Sequence, residues 1–176
     1  GPAHGQAQAE LGYFLRERLV GYLREAGYQA QEVEAVVELH PARWAEIPKR
    51  LDAVRAFRAL PEAASLAAAN KRVGNILKKS EDAPAELDAA LLQESAEQHL
   101  AGALKNVAPL ADRLFDNGEY AASLRELASL KAPVDAFFDG VMVNADDPAL
   151  RANRLALLGQ LHAAMNRVAD LSRLAA

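Results

Sequence analysis

An all-α bundle of about seven to nine helices is the fold this sequence predicts. Three observations carry that expectation: alanine and leucine are plentiful, runs of β-branched residues are missing, and apolar residues recur at intervals of three and four rather than two. With 51% apolar and 25% charged residues, the 176-residue chain has the balance of one that folds, and it is long enough to bury a core without staples.

The elements follow in order. Leu11, Phe14, Leu15, Leu19, Tyr22, Leu23 and Ala26 form one stripe of a first helix, and Gly27 stands where a helix ends on a left-handed residue. Val33, Val36 and Val37 mark a short second helix from about Gln31 to Leu39. His40-Pro41 stops it, because the residue before proline is pushed out of helical geometry. Trp44, Ile47, Leu51 and Val54 resume the pattern, with Pro48 a kink or restart. Pro61 suits a first helical position, and from there to Lys79 the sequence is strongly helical. Ser80 to Ala85 is a polar break, a candidate subdivision near 80–86 between two halves expected to share one core. A long helix from about Glu86 to Asp116 should be strained or broken at Pro109, and Asp116-Asn117-Gly118 is a turn. Shorter helices are expected at about Glu119 to Ser129 and Pro133 to Val143. The last helix is capped by Asp147, carries Pro148 in its first turn and lines up Leu150, Leu157, Leu161, Met165 and Val168. Gly1-Pro2-Ala3-His4-Gly5 reads as a protease-cleavage scar, so residues 1–8 are expected to be disordered and 9–176 to form the helical domain.

Several function classes drop out. A net charge of −4 excludes a globally basic nucleic-acid binder, and the absence of cysteine removes disulfides, thiolate metal sites and cysteine nucleophiles. No apolar run approaches the roughly 18 residues that span a bilayer. The four histidines lack the spacing of a helical metal pair, the glycines are isolated with no phosphate loop, GxSxG is absent and threonine does not occur. Asp146-Asp147 is explained by capping at a helix start rather than by acid–base chemistry. No catalytic residue, cofactor or metal is therefore expected in this segment.

The most informative stretch runs from Ala67 to Lys79. On a helix advancing about 100° per residue, Leu66, Ala69, Val73, Ile76 and Leu77 cluster on one side, while Lys71, Arg72, Asn75, Lys78 and Lys79 occupy about a third of the other. That arc holds no acid to relieve the repulsion of its cations. A phosphate backbone would supply the countercharge, and Asn75 suits a base edge or ribose. The same pattern also fits a solvated face with cations at a helix C-terminus, so charge alone leaves both readings open. A second basic set, Arg43, Lys49, Arg50, Arg55 and Arg58, surrounds Trp44, which falls on the apolar stripe and reads as core. Arg154 falls between Leu150 and Leu157 on the buried stripe of the last helix, where it needs a carboxylate; Asp139 and Asp146 are the candidates.

Six segments in order resemble one family. They are Phe14-Leu-Arg-Glu-Arg-Leu19, Arg50-Leu-Asp-Ala-Val-Arg-Ala-Phe57, Ala68-Ala-Asn-Lys-Arg-Val-Gly-Asn-Ile-Leu-Lys-Lys79, Pro133-Val-Asp-Ala-Phe-Phe-Asp-Gly-Val-Met-Val143, Leu150-Arg-Ala-Asn-Arg-Leu-Ala-Leu-Leu158 and Val168-Ala-Asp-Leu-Ser172. Together they are similar to the C-terminal region of the β subunit of bacterial glycyl-tRNA synthetase, from about Leu11 to Leu174. The resemblance implies an all-helical anticodon-binding (DALR-like) domain similar to that of class I arginyl-tRNA synthetase. It implies a cytoplasmic ligase that joins glycine to its tRNA with ATP at a site in the α subunit. Expected partners are glycine tRNA, the α subunit and the rest of the β subunit, with no membrane and no DNA. Carried over by motif, Asn70, Lys71, Arg72, Asn75, Lys78 and Lys79 are the first candidates for RNA contact, and Arg151 and Arg154 the second. Gly74, where serine is common, and Asn144 and Asn166 depart from the family pattern. A rival expectation is a helical docking domain within the synthetase assembly that makes no RNA contact.

Overall fold

The computed structural model describes residues 2–39, 44–82 and 85–176. Among them are eight α-helices, three short 3-10 turns and no strand. α1 (Pro2–Glu25) begins at Pro2 rather than after residue 8, and ends as its sequence demands: Gly27 sits at φ +99° while the Tyr28 amide reaches back to the Leu23 carbonyl at 3.1 Å. α2 (Ala30–Val37) starts in a capping box between Gln29 and Glu32. The expected stop at His40-Pro41, Arg43 and the side chain of Trp44 lie outside the described residues. A 3-10 turn at Trp44–Glu46 leads into α3 (Ile47–Arg58), so Pro48 marks a restart in the first turn, where its missing N–H costs no helical bond.

α4 (Ala63–Lys79) begins two residues after Pro61, which lies in the preceding turn. The largest departure follows. No helix forms from Glu86; the chain passes through a 3-10 turn at Ala89–Leu91, and α5 starts only at Ser95, running to Asp116. The cause is tertiary. Buried Asn153 accepts the Asp88 amide at 2.7 Å and donates to the Asp88 carbonyl at 3.0 Å, holding that strand of chain extended, and a Glu94/Glu97 capping box restarts the helix. Pro109 does not break α5. A proline in a helix interior costs about 3 kcal/mol, and the continuous buried stripe of Leu100, Leu104 and Ala111 offsets it.

Gly118, at φ +76°, closes the Asp116-Asn117-Gly118 turn into α6 (Tyr120–Ala128). α7 (Lys131–Gly140) starts ahead of Pro133, again a first-turn proline. α8 (Pro148–Met165) is capped by the Asp147 carboxylate, which accepts the Ala149 amide at 2.9 Å. A last 3-10 turn, Leu171–Leu174, wedges between α2 and α4, pinned where the Asp170 amide meets the Ala35 carbonyl at 2.8 Å.

Packing radiates from α5, which touches α6, α7 and α8, while α4 lies across α7, α8 and the last 3-10 turn. One cluster of buried side chains includes Leu51 and Phe57 from α3, Leu66 and Val73 from α4, Leu124 from α6, Phe137 from α7 and Leu157 and Leu161 from α8. It crosses the 80–86 break. One polar tie joins α4 to α7, the Ser65 hydroxyl donating to Asp135 at 3.0 Å, and within α7 Lys131 donates to the same carboxylate at 2.6 Å. The Lys131 bond holds the Asp135 carboxyl below its usual range and the ammonium above its own.

Candidate nucleic-acid interface

α4 presents its polar residues as a ridge. Lys71, Arg72, Asn75, Lys78 and Lys79 are all exposed, and none of the salt bridges among the described residues involves these four cations. Lys78 and Lys79 occupy the last turn, where the helix dipole favours them by about 0.3–1 kcal/mol. That term accounts for two cations of the four. Lys71 and Arg72 lie a full turn or more inside the helix, where the dipole has faded.

The ridge stands between two clefts. On one side Lys71, Asn75 and Lys78 line a polar groove of about 630 Å³ whose other wall carries Glu34 and Glu38 from α2 and Asp170, Ser172 and Arg173 near the C-terminus. Arg173 occupies two of the facing carboxylates, reaching Glu38 at 3.2 Å and Asp170 at 3.6 Å. His162 of α8 lines the groove beside Gly74, where a Cβ would lie 3.6 Å from the imidazole Nε2, an ordinary contact distance. On the other side Lys79 and Arg151 share a cleft of about 430 Å³ with Asn144 and Asp82. Arg72 lines neither cleft; its guanidinium lies 4.3 Å from the centre of the Phe138 ring.

The sequence-predicted residues therefore divide. Five form the ridge. Asn70 does not belong to it: it is 1% exposed and forms a reciprocal amide pair with Asn166, at 2.9 and 2.8 Å. Asn166 also accepts the Leu171 amide and donates to the His162 carbonyl, so the pair ties α4, α8 and the last 3-10 turn together beneath the groove. Arg154 is likewise removed from the surface. It is 5% exposed, and its partner is neither Asp139 nor Asp146 but the fully buried Glu97 of α5 at 3.0 Å, with a second bond to the Met142 carbonyl at 2.7 Å. Arg151 is half-buried and bonds Asp82 at 2.9 Å and the Ala145 carbonyl at 3.1 Å. The Leu-Arg-x-Asn-Arg-Leu motif is thus a brace: Arg151 and Arg154 hold the α7–α8 loop and Asn153 holds the segment before α5.

Of the second basic set, Lys49 and Arg55 are exposed and Arg58 is half-buried, Arg43 lies outside the described residues, and Arg50 is internal. Arg50 is buried, donates to the Arg167 and Val168 carbonyls at 2.8 and 2.9 Å, and packs against Phe115 and Tyr120. Arg55 stacks on Tyr28 and bonds the Gly27 carbonyl, and Arg58 bonds Gln29 and Gln31. The Tyr28 hydroxyl itself donates to Asp52 at 2.8 Å, which raises its pKa above the ordinary phenol value.

Sequence reasoning missed Phe138, His162 and Arg173. Asn166 read only as a departure in packing, yet it stands four residues after His162 and therefore on the same helical face, directed at α4. Among the described residues no three histidine, aspartate or glutamate side chains converge on a metal-sized site, and no helix is long and apolar enough to cross a membrane. What the geometry offers is a cationic edge that makes no ion pair among the described residues, between polar clefts whose far walls carry Glu34, Glu38 and Asp170 on one side and Glu81 and Asp82 on the other.

The glycine–tRNA ligase beta subunit of Leptothrix cholodnii is 70% identical over 164 residues, covering 93% of this chain and 23% of that protein. Those of Thiobacillus denitrificans and Dechloromonas aromatica are each 64% identical, covering 98% and 97% of this chain and 25% and 24% of theirs. The chain spans about a quarter of the length of these curated relatives. The DALR anticodon binding domain matches residues 66–171, a stretch that runs from within α4 to the first residue of the last 3-10 turn and so contains the ridge, the cleft of Lys79 and Arg151 and the braces Asn153 and Arg154, while the α2 wall of the polar groove lies outside it. A match over more than half of the chain, centred on these features, places it in the DALR anticodon binding domain family.

Proposed function

We propose that this chain is the anticodon-binding domain of a glycine–tRNA ligase β subunit and that α4 grips the anticodon arm of glycine tRNA. The observation that carries the reading is the exposed, acid-free edge formed by Lys71, Arg72, Asn75, Lys78 and Lys79. Three lysines and an arginine without a carboxylate neutralise phosphates, and Asn75, set among them, is placed for a base edge or a ribose hydroxyl. Arg151 flanks the same path at the cleft it shares with Lys79. Asn70 and Arg154 contribute by holding the surface in shape.

On this reading the domain catalyses nothing and takes no cofactor or metal of its own. Fixing the anticodon arm positions the distant acceptor end for glycylation with ATP in the α subunit, and the remainder of the β subunit and the α subunit are its protein partners, in the cytoplasm. Because the chain carries a net −4, attraction to RNA is local to the ridge.

The test is exchange of the anticodon. Glycine tRNA should bind this chain more tightly than the same RNA with its anticodon bases replaced, by on the order of tenfold or more for each base that is read. Equal affinity for the two would contradict base reading and leave a charge contact alone.

A further inference from the structure

Four arginines among the described residues lie over aromatic rings: Arg50, Arg55, Arg72 and Arg167. Three of them are also tied at their edges. Arg50 meets Glu46 and two backbone carbonyls, Arg55 meets Glu32 and the Gly27 carbonyl, and Arg167 meets Asp112 and Asp116. Arg72 differs. It is exposed, its guanidinium carbon lies 4.3 Å from the Phe138 centroid, and no hydrogen bond or carboxylate contact is made by it among the described residues. Phe138 in turn is fixed: half-buried, it meets the fully buried Phe137 edge-on, with centroids 5.4 Å apart and planes at 84°.

A guanidinium seated over an anchored ring is a planar, cationic group whose position is set before any ligand arrives. We infer that Arg72 backed by Phe138 is a stacking platform for one unpaired RNA base, distinct in chemistry from the phosphate-neutralising lysines of the ridge. This rests on the RNA-binding reading above and assigns α7 a part in it. Stacking on an arginine plane is how single-stranded RNA is commonly held, and it needs no base-specific edge. Asn75 lies one turn further along α4 and Lys79 two, about 10 Å from Arg72, so the backbone of a nucleotide stacked here has a ribose partner and a phosphate partner along the same side of the helix. An arginine that merely shaded Phe138 from water, or merely contributed charge, would be replaceable by lysine without loss.

That replacement is the experiment. Arg72→Lys in this chain keeps the charge and removes the plane; Phe138→Leu keeps the charge and removes the backing. Affinity for glycine tRNA is measured over a salt series, and the RNA carries 2-aminopurine at one anticodon-loop position at a time. The platform predicts that Arg72→Lys weakens binding about five- to a hundredfold with the salt slope unchanged, and relieves the fluorescence quenching at one loop position. Phe138→Leu should do the same in weaker form. Arg72→Lys binding as tightly as the parent chain, or quenching equal at every position, overturns the platform; being at an exposed site, that variant does not put folding at risk. If the unmodified chain fails to bind glycine tRNA, the functional reading itself falls, and the platform with it.

Discussion

Changing Lys71, Arg72 and Lys78 together to alanine is expected to weaken binding of glycine tRNA on the order of a hundredfold near 0.1 M salt, and to lower the slope of log affinity against log salt by about two to three. The estimate takes about 1 kcal/mol for each charged contact and somewhat less than one released counterion per phosphate. The fold should be kept, with a stability loss of about 1 kcal/mol as Lys78 gives up its helix-end term and Arg72 its place over Phe138. All three side chains are exposed and none takes part in the salt bridges among the described residues, so the substitutions also relieve a few tenths of a kcal/mol of like-charge repulsion along α4. Circular dichroism matching that of the parent chain, with a urea midpoint lowered only slightly, would establish that the loss is one of contact. An unchanged affinity would instead favour the rival in which this domain docks against other parts of the synthetase.

The largest stability effect should come from the opposite kind of residue. Replacing Glu97 by alanine is expected to cost about 3–5 kcal/mol in urea-induced unfolding, because it strands the Arg154 guanidinium in the core. Glu97 also accepts the Glu94 amide at 3.1 Å, so the same change opens the N-terminus of α5. The pair is not an efficient stabiliser in itself: Glu97 Oε2 and Arg154 Nε are buried without a protein partner. Replacing both together, Glu97→Gln with Arg154→Met, should therefore be far milder than Glu97→Ala alone. A double variant as unstable as the single one would show that the charges are not the issue.

Local signals were read correctly where the chemistry is local. Gly27 and Gly118 at positive φ, the Asp147 cap and the first-turn prolines Pro48, Pro133 and Pro148 act within a few residues of themselves, and periodicity alone placed most of the helices. The start of α5 was not legible, because what keeps residues 85–94 out of a helix is Asn153, 65 positions away. Arg154 was recognised as a buried arginine in want of a carboxylate. Its partner was missed since Glu97, 57 positions away, looks in sequence like one more acidic residue inside the long helix expected from Glu86.

Among the site residues the ridge could be read from α4 itself, since exposure on one helix follows from the stripe on its other side. Asn70 enters the candidate set by motif resemblance alone, and the same arithmetic puts it on the other side of the helix. It stands four residues after Leu66 and three before Val73, squarely on the buried stripe, and an amide there needs a partner of the kind Asn166 supplies. Phe138 could not have been found from α4 at all, because its meeting with Arg72 depends on how α7 packs across that helix.

The central claim is that the open cationic edge of α4 holds a polyanion. Titration of this 176-residue chain with glycine tRNA across a salt series measures it directly. Engagement of the four ridge cations predicts that log affinity falls with log salt at a slope of about −3 to −4. A slope near zero, or one that the triple alanine variant leaves unchanged, would contradict it.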